Sequence, residues 1–74
     1  MKAYLLMKFK PGVDLDQARH ALEHPQVETI DLIMGAYDAI ATIQVSDLAE
    51  LGKLSTQVRN CPAIQDSVTC LVIP

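Results

Sequence analysis

The chain contains few of the residues that enzymes and metal proteins use for chemistry. Its 74 residues include no tryptophan, two cysteines and two histidines. Cys61 and Cys70 occur without a CxxC motif and without a histidine at metal-ligand spacing, which favours free thiols over a disulfide scaffold or a zinc site. There is also no nucleophile with a neighbouring base, no P-loop and no glycine-rich dinucleotide turn. The sequence therefore predicts a protein that is not an enzyme and has no catalytic residue, metal or cofactor.

The chain also lacks a long apolar run and a cluster of basic residues. The longest apolar stretches, such as residues 4–7, are far too short to cross a bilayer of roughly 30 Å. Lys2 leads directly into the first of them without a cleavage motif, so no signal peptide is expected. The formal net charge is -3 and the six basic residues are scattered, which argues against a phosphate-binding surface. We predict a cytoplasmic protein that binds neither a membrane nor nucleic acid directly.

The sequence does contain two strand–helix–strand halves. Apolar residues predict strands at 2–9 and 27–34 in the first half and at 38–45 and 65–73 in the second. Proline-containing segments at 11–12, 24–25 and 60–62 separate the elements. Right-handed crossovers then give one α+β domain over residues 1–74, with the ferredoxin-like βαββαβ plan. It is a four-stranded antiparallel sheet with both helices on one face.

Each helix is expected to begin at an aspartate. Asp14 with Gln17, and Asp47 with Glu50, have the spacing of a capping box. Apolar residues then recur at helical periodicity and should face the sheet. They are Leu15, Ala18 and Leu22 in the first helix and Leu48, Leu51, Leu54 and Val58 in the second.

The strands are apolar on both sides, whereas a sheet with helices on one face should alternate between apolar and polar residues. Residues 4–7 and 71–73, and Ile30 with Leu32 and Ile33, show this pattern. At roughly 25 cal/mol for each Å² of apolar surface, leaving several of these side chains exposed to water would cost a free energy comparable with the whole stability of a domain, about 5–15 kcal/mol. We therefore expect a sheet-to-sheet homodimer, a dimeric α/β barrel. The alternative is a monomer whose runs are merely strand-like in composition.

The hairpin between the halves holds the most concentrated polar chemistry of the chain. A glycine, Gly35, lets a ligand approach the backbone, whose N–H groups can receive a carboxylate. Asp38 can accept a charge-assisted hydrogen bond from an ammonium, and Tyr37 supplies an apolar wall with a polar tip. A free amino acid has these two opposite polar ends. A positive φ at the turn would by itself be sufficient reason for Gly35, and this structural explanation stays open.

Together these segments resemble the ligand-binding domain, or RAM domain, of the leucine-responsive and asparagine-responsive (Lrp/AsnC) transcriptional regulators. The resemblance covers essentially the whole chain and starts from the order of its elements. The matching segments are Gly35-Ala36-Tyr37-Asp38, which is like the family's Gly-x-Tyr-Asp turn, Asp47-Leu48 at the second helix, and Pro62-x-Ile64 followed by residues 67–73, which is similar to the family's Thr-x-Thr-x-Ile-Val-Leu end.

The resemblance implies a dimeric α/β barrel that assembles into octamers, decamers or similar rings, with free amino acids bound between neighbouring dimers. The ligand contacts it implies are Gly35, Tyr37 and Asp38, with Met34 and Ala36 as their backbone neighbours and Thr69 as a weaker candidate. Because the first strand begins at Lys2, we expect no room for the family's helix-turn-helix. We therefore expect a stand-alone version that does not bind an operator and that regulates transcription indirectly, by assembly with a DNA-binding Lrp/AsnC relative.

Two other functions share this strand order. A small dimeric α/β-barrel enzyme of the monooxygenase or isomerase type would need a reactive side chain inside the barrel, and Tyr4 is the residue whose strand position allows it. An ACT-like amino-acid sensor would instead pack its sheets side by side.

The remaining polar residues have structural explanations. His20 and His24 have a spacing at which two histidines can share a metal, but they point away from the apolar stripe of their helix, which favours a solvated pair. Cys70 lies in a β-branched strand and is expected to be a packing residue. Cys61, near a helix end, is expected to be the more exposed cysteine.

Overall fold

The computed structural model describes the backbone of residues 1–74 and the side chains of all of them except Ala21. The elements are β1 (Lys2–Phe9), α1 (Leu15–Ala21), β2 (Val27–Leu32), β3 (Ala39–Gln44), α2 (Leu48–Arg59) and β4 (Ile64–Leu71). The strands form one sheet in the order β2-β3-β1-β4, and every neighbouring pair is antiparallel. This confirms the predicted ferredoxin-like βαββαβ fold. Within the described chain, neither helix is long and apolar enough to span a bilayer.

Three strands are shorter than the sequence predicts. β2 and β4 each stop two residues early, and β3 lacks one residue at each end. In the hairpin, the Ile33 N–H donates to the Asp38 carbonyl at 2.9 Å, so the residues between them form the turn. At the opposite end of the sheet, the Val72 N–H donates to the Lys2 carbonyl at 3.0 Å. Lys2 is the first residue of β1, so the ladder between β1 and β4 ends there.

The first helix begins at Asp14, as predicted, but its capping box is wrong. The Asp14 Oδ1 accepts from the Asp16 N–H at 2.9 Å, and not from Gln17. The Asp14 carboxylate accepts from the N–H group two residues further along the chain. This short-range hydrogen bond forms an Asx turn, which aspartate favours. The helix ends before the predicted stop at 24–25, because the Leu22 N–H turns back to the Arg19 carbonyl at 3.1 Å.

The second helix has the predicted N-cap and an additional contact. The Asp47 Oδ1 accepts from the Glu50 N–H at 2.8 Å. The Glu50 carboxylate does not return to Asp47 but accepts from the Ser46 hydroxyl and from the Ser46 N–H, the latter at 3.0 Å. These hydrogen bonds, led by that of the hydroxyl, favour the ionised carboxylate and lower the pKa of Glu50 below its ordinary value. The ionised glutamate therefore fixes the connection from β3 to α2.

The core lies between the sheet and the two helices. Alternate residues of β1 and β3 enter it, together with residues of α2 and with Leu22, the C-cap of α1, so both helices lie on one face of the sheet. The buried apolar residues are Ala3, Leu5, Met7, Ala18, Leu22, Ala39, Ala41, Ile43, Val45, Leu51, Leu54, Val58 and Ile64.

Two leucines of the predicted helix stripes are not in this core. Leu15 is 52% exposed and Leu48 is 63% exposed, so the prediction that they are buried is wrong. Each is the first residue of its helix, directly after the aspartate cap. The stripe reaches the sheet only one turn later, where Ala18 and Leu51 are buried. Helical periodicity fixes which side of a helix faces inward, but it does not fix how far the helix end extends over the sheet.

The other face of the sheet is not covered by the two helices. Cross-strand pairing arranges its residues in rows of four, namely Asp31, Ile40, Leu6 and Val68 in one row and Thr29, Thr42, Tyr4 and Cys70 in the next. The three apolar side chains of the first row are partly exposed, and Asp31 at its β2 end is exposed. Beyond that row, Lys8 pairs with Asp66. We call this surface the open face; its centre is apolar and its ends are polar or charged.

The cysteines have the reverse of their predicted environments. Cys70 is exposed, whereas Cys61 is partly buried and packs against the core. Cys70 pairs with Tyr4 and so lies on the open face. Cys61 follows α2 and packs against the core, on the helix-covered side of the sheet. Strand composition did not reveal which face Cys70 would occupy, and the expectation for both thiols was wrong.

Candidate functional site

The turn between β2 and β3 projects from the end of the sheet. Met34 is fully exposed, Gly35 and Ala36 are exposed, and Tyr37 is partly buried. Gly35 has a φ of 149°, a conformation that side chains disfavour, which is a structural reason for a glycine at this position. A Cβ built at Gly35 would meet nothing within 4 Å. The backbone of Gly35 is therefore open to an approaching molecule.

Asp38 connects this turn to the end of β1. Its backbone N–H donates to the Met7 carbonyl at 2.8 Å, and its Oδ2 accepts from the Phe9 N–H, also at 2.8 Å. The pairing of β1 with β4 shifts register between Lys8 and Phe9, so the Asp38 carboxylate binds an N–H at an irregular point of the ladder. The side chain is exposed, and a carboxylate has acceptor capacity for more than one donor. Asp38 can hold the backbone and a ligand cation together.

A groove of about 340 Å³ opens beside Asp38, between the β1–α1 connection and the end of β2. It is lined by Phe9, Lys10, Pro11, Gly12, Val13, Leu15, Leu32, Ile33 and Asp38. We call it the hairpin groove. Most of its lining is apolar, and it has one cationic side chain, Lys10, and one anionic side chain, Asp38. Its volume is at the lower end of the range for small-molecule sites, about 300–1,000 Å³.

The structure brings some of the predicted ligand contacts together and separates another. Residues 34–38 form one turn, but within that turn only Asp38 lines the hairpin groove. The Thr69 hydroxyl is 2.7 Å from the Ser55 hydroxyl of α2, on the helix-covered side of β4. The groove that holds Asp38 does not include Thr69, which remains the weaker prediction.

Sequence reasoning missed the second wall of the groove. In the β1–β3 pairing Met7 lies opposite Ala39, so the chain just after β1 is brought next to Asp38. The Pro11-Gly12 turn was recognised as a stop signal, with Gly12 now seen at a φ of 78°, but not as a neighbour of the hairpin. An antiparallel register proposed for β1 and β3 would have revealed the contact, because it fixes which strand ends meet.

Outside this region, titratable side chains are dispersed. The His20 Nδ1 lies 3.1 Å from a Glu23 carboxylate oxygen, with both side chains well exposed. Among the described residues no three histidine, cysteine or acidic side chains lie close enough to hold a metal ion. Tyr4 lies on the open face between Thr42 and Cys70, with the Lys2 ammonium 5.5 Å from its ring centre.

The fold defines the class as a small α+β domain with the ferredoxin-like βαββαβ order. The family model described as the Lrp/AsnC ligand binding domain matches residues 2–74, and the chain belongs to this family. The resemblance seen in the sequence is thereby confirmed over essentially the whole chain. No protein with curated annotation matches it.

Solved structures share the fold. The crystal structure of FFRP-DM1 is 27% identical and superposes with a TM-score of 0.87, covering 97% of each chain. The hypothetical protein PHS023 from Pyrococcus horikoshii is 27% identical with a TM-score of 0.84, covering 99% of this chain and 89% of that one. The transcriptional regulator NMB0573 from Neisseria meningitidis, solved with L-Met, is 13% identical with a TM-score of 0.90, covering 99% of this chain and 49% of its own. At that identity the last match shows the fold alone.

Proposed function

We propose that this domain binds a free amino acid at the turn formed by residues 34–38. The observation that carries the proposal is the position of Asp38, an exposed carboxylate at the mouth of a ligand-sized groove, in a chain of the Lrp/AsnC ligand-binding family. The Neisseria regulator of the same fold was solved in complex with L-Met, which is consistent with a ligand of this kind.

The two ends of an amino acid match the two kinds of group at the turn. The ammonium donates to the Asp38 carboxylate in a charge-assisted hydrogen bond, while the ligand's own carboxylate accepts from backbone N–H groups near Gly35. The open space above Gly35 allows this approach. Tyr37, two residues further along the same turn, would supply an apolar wall with a polar tip. Met34 and Ala36 contribute through their backbone.

We propose further that the open face is covered by a second copy of the chain. A centre formed by Leu6, Ile40 and Val68 is apolar and belongs to neighbouring strands, so it is contiguous. Contiguous exposed apolar surface is typical of an interface, and a face-to-face dimer about a two-fold axis is the simplest closed assembly. The result is the dimeric α/β barrel predicted from the sequence, and larger rings of such dimers, octamers or decamers, would place ligands between them.

The proposed biological role follows from linkage. A ligand that binds one assembly more tightly than another shifts the balance between them by its differential affinity, and about 1–3 kcal/mol is sufficient for regulation. We propose that the domain regulates transcription indirectly in this way, through assembly with a DNA-binding Lrp/AsnC relative.

Calorimetric titration with the twenty amino acids, with the mass in solution measured by sedimentation, tests these proposals. We expect at least one amino acid to bind with a stoichiometry of one per chain or one per pair of chains, and the free protein to sediment as a dimer or a larger ring. Absence of binding by all twenty would refute the effector function. A monomer at low micromolar concentration would refute the assembly.

A further inference from the structure

We infer that the hairpin groove selects amino acids with an apolar side chain, such as leucine or methionine, over polar amino acids of similar size. This inference rests on the proposed function and specifies its ligand class. The groove has charged side chains only at Lys10 and Asp38. Asp38 is the proposed partner of the ligand ammonium, and Lys10 adds a cationic group for the ligand carboxylate, whose other partners are the backbone N–H groups near Gly35. The side chain of the ligand is then left to the apolar walls.

Those walls are unusually exposed for large apolar residues. Leu15 is 52% exposed, Leu32 is 39% exposed and Ile33 is 38% exposed, and all three line the groove. Leu15 belongs to the same helical stripe as the buried residues Ala18 and Leu22, which places it on the side of α1 that faces the sheet. Because Leu15 also lines the groove, part of its exposed surface faces the groove. Exposed apolar side chains that converge on one depression mark a ligand site more often than scattered ones do.

The same walls reject a polar side chain. An amide of asparagine or glutamine would lose water on entering and would find mainly carbon atoms of Phe9, Val13 and Leu15. Burying such a group without a hydrogen bond is unfavourable by about 1–3 kcal/mol in proteins. At 1.4 kcal/mol for each factor of ten, this corresponds to about 5- to 150-fold weaker binding. Leucine and methionine have no such group and gain contact with the walls.

The test compares ligands of matched shape. Calorimetry with the full chain would measure the affinities of leucine against asparagine, and of methionine against glutamine. We expect the apolar member of each pair to bind at least fivefold more tightly. Equal or tighter binding of the polar members would overturn the inference while leaving the proposed amino-acid site intact. Absence of binding by these four ligands would overturn the inference, and absence of binding by all twenty amino acids would refute the proposed site as well.

The chain provides a matched control for the groove itself. Leu15 and Leu48 are both exposed leucines that directly follow an aspartate N-cap, but only Leu15 lines the groove. We expect Leu15→Ser to weaken leucine and methionine binding severalfold and to reduce the preference over the polar partners. Leu48→Ser should change neither, and circular dichroism should show both variants folded.

Two results with these variants would overturn the inference. One is an unchanged ligand preference in Leu15→Ser. The other is a change in sedimenting mass without a change in affinity, which would assign the groove to a contact between copies of the chain and not to a ligand side chain.

Discussion

Replacement of Asp38 gives the sharpest test of the ligand site, because its carboxylate has two tasks that different substitutions separate. Its Oδ2 accepts from the Phe9 N–H at 2.8 Å, which stabilises the fold, and it is proposed to accept from the ligand ammonium. Asp38→Asn keeps a carbonyl oxygen for the Phe9 N–H but removes the negative charge. Asp38→Ala removes both.

The two variants should therefore differ in stability. Loss of the hydrogen bond in Asp38→Ala should lower the free energy of unfolding by about 0.5–1.5 kcal/mol, toward the lower value because the site is exposed. For a domain of this size, 1 kcal/mol corresponds to a Tm shift of about 4–8 °C. Asp38→Asn should unfold close to the wild-type temperature. Differential scanning calorimetry at fixed protein concentration measures both.

Ligand binding should depend on the charge. Loss of a hydrogen bond to a charged group weakens binding by about 1.5–3 kcal/mol. This is about a 10- to 150-fold rise in Kd at 1.4 kcal/mol per factor of ten. We expect this loss in Asp38→Asn by calorimetry, with Asp16→Asn as a control that removes the same charge from an exposed helix position outside the groove. Wild-type affinity in a folded Asp38→Asn protein would refute the role of Asp38 as the ammonium partner.

Three further predictions concern the assembly and the fold. Leu6→Lys should raise the dimer dissociation constant at least 100-fold, because desolvating an unpaired ammonium in the interface costs several kcal/mol. Leu48→Lys, on the helix side, should leave the dimer unchanged, and equal sedimentation of the two variants would contradict the face-to-face dimer. Because the pKa of Glu50 is lowered, its ionised form stabilises the fold above the ordinary glutamate pKa, and this contribution is lost as the pH falls through the lowered value. The difference in Tm between wild type and Glu50→Gln should therefore disappear on acidification, and a difference independent of pH would argue against the Ser46 contact. Leu54→Ala, at a residue only 2% exposed, should lower the free energy of unfolding in urea by about 2–5 kcal/mol, while Leu48→Ala should change it by no more than about 0.5 kcal/mol. Similar losses in both variants would contradict the burial of Leu54 in the core.

Much of the fold was predictable because its signals are local. The range of β1 and the start of α2 at Asp47 follow from apolar pattern and cap chemistry, and both are confirmed. The resemblance to the Lrp/AsnC ligand-binding domain was also readable from segments of the sequence, and the family match confirms it. The strand ends were less accurate, because the last residues of a strand depend on whether a partner strand extends that far.

Only part of the candidate site could be predicted from the sequence. The turn with Gly35 and Asp38 was found from its residue types, and its role in ligand binding stays a prediction. The wall contributed by Lys10 and Leu15 could not be found from composition, because its proximity to the hairpin is created by the pairing of β1 with β3. Nor does the sequence show that the Asp38 carboxylate already binds the Phe9 backbone.

Sequence alone therefore determined the order of the elements, the two helix starts and the identity of the exposed turn, since each depends on residues close together in the chain. Tertiary structure decided the environments of individual side chains. It exposed Leu15 beside a groove, placed Cys70 on the open face and tied Thr69 to Ser55 of α2. Those outcomes depend on which strands pair and in which register, and register is a property of residues far apart in sequence.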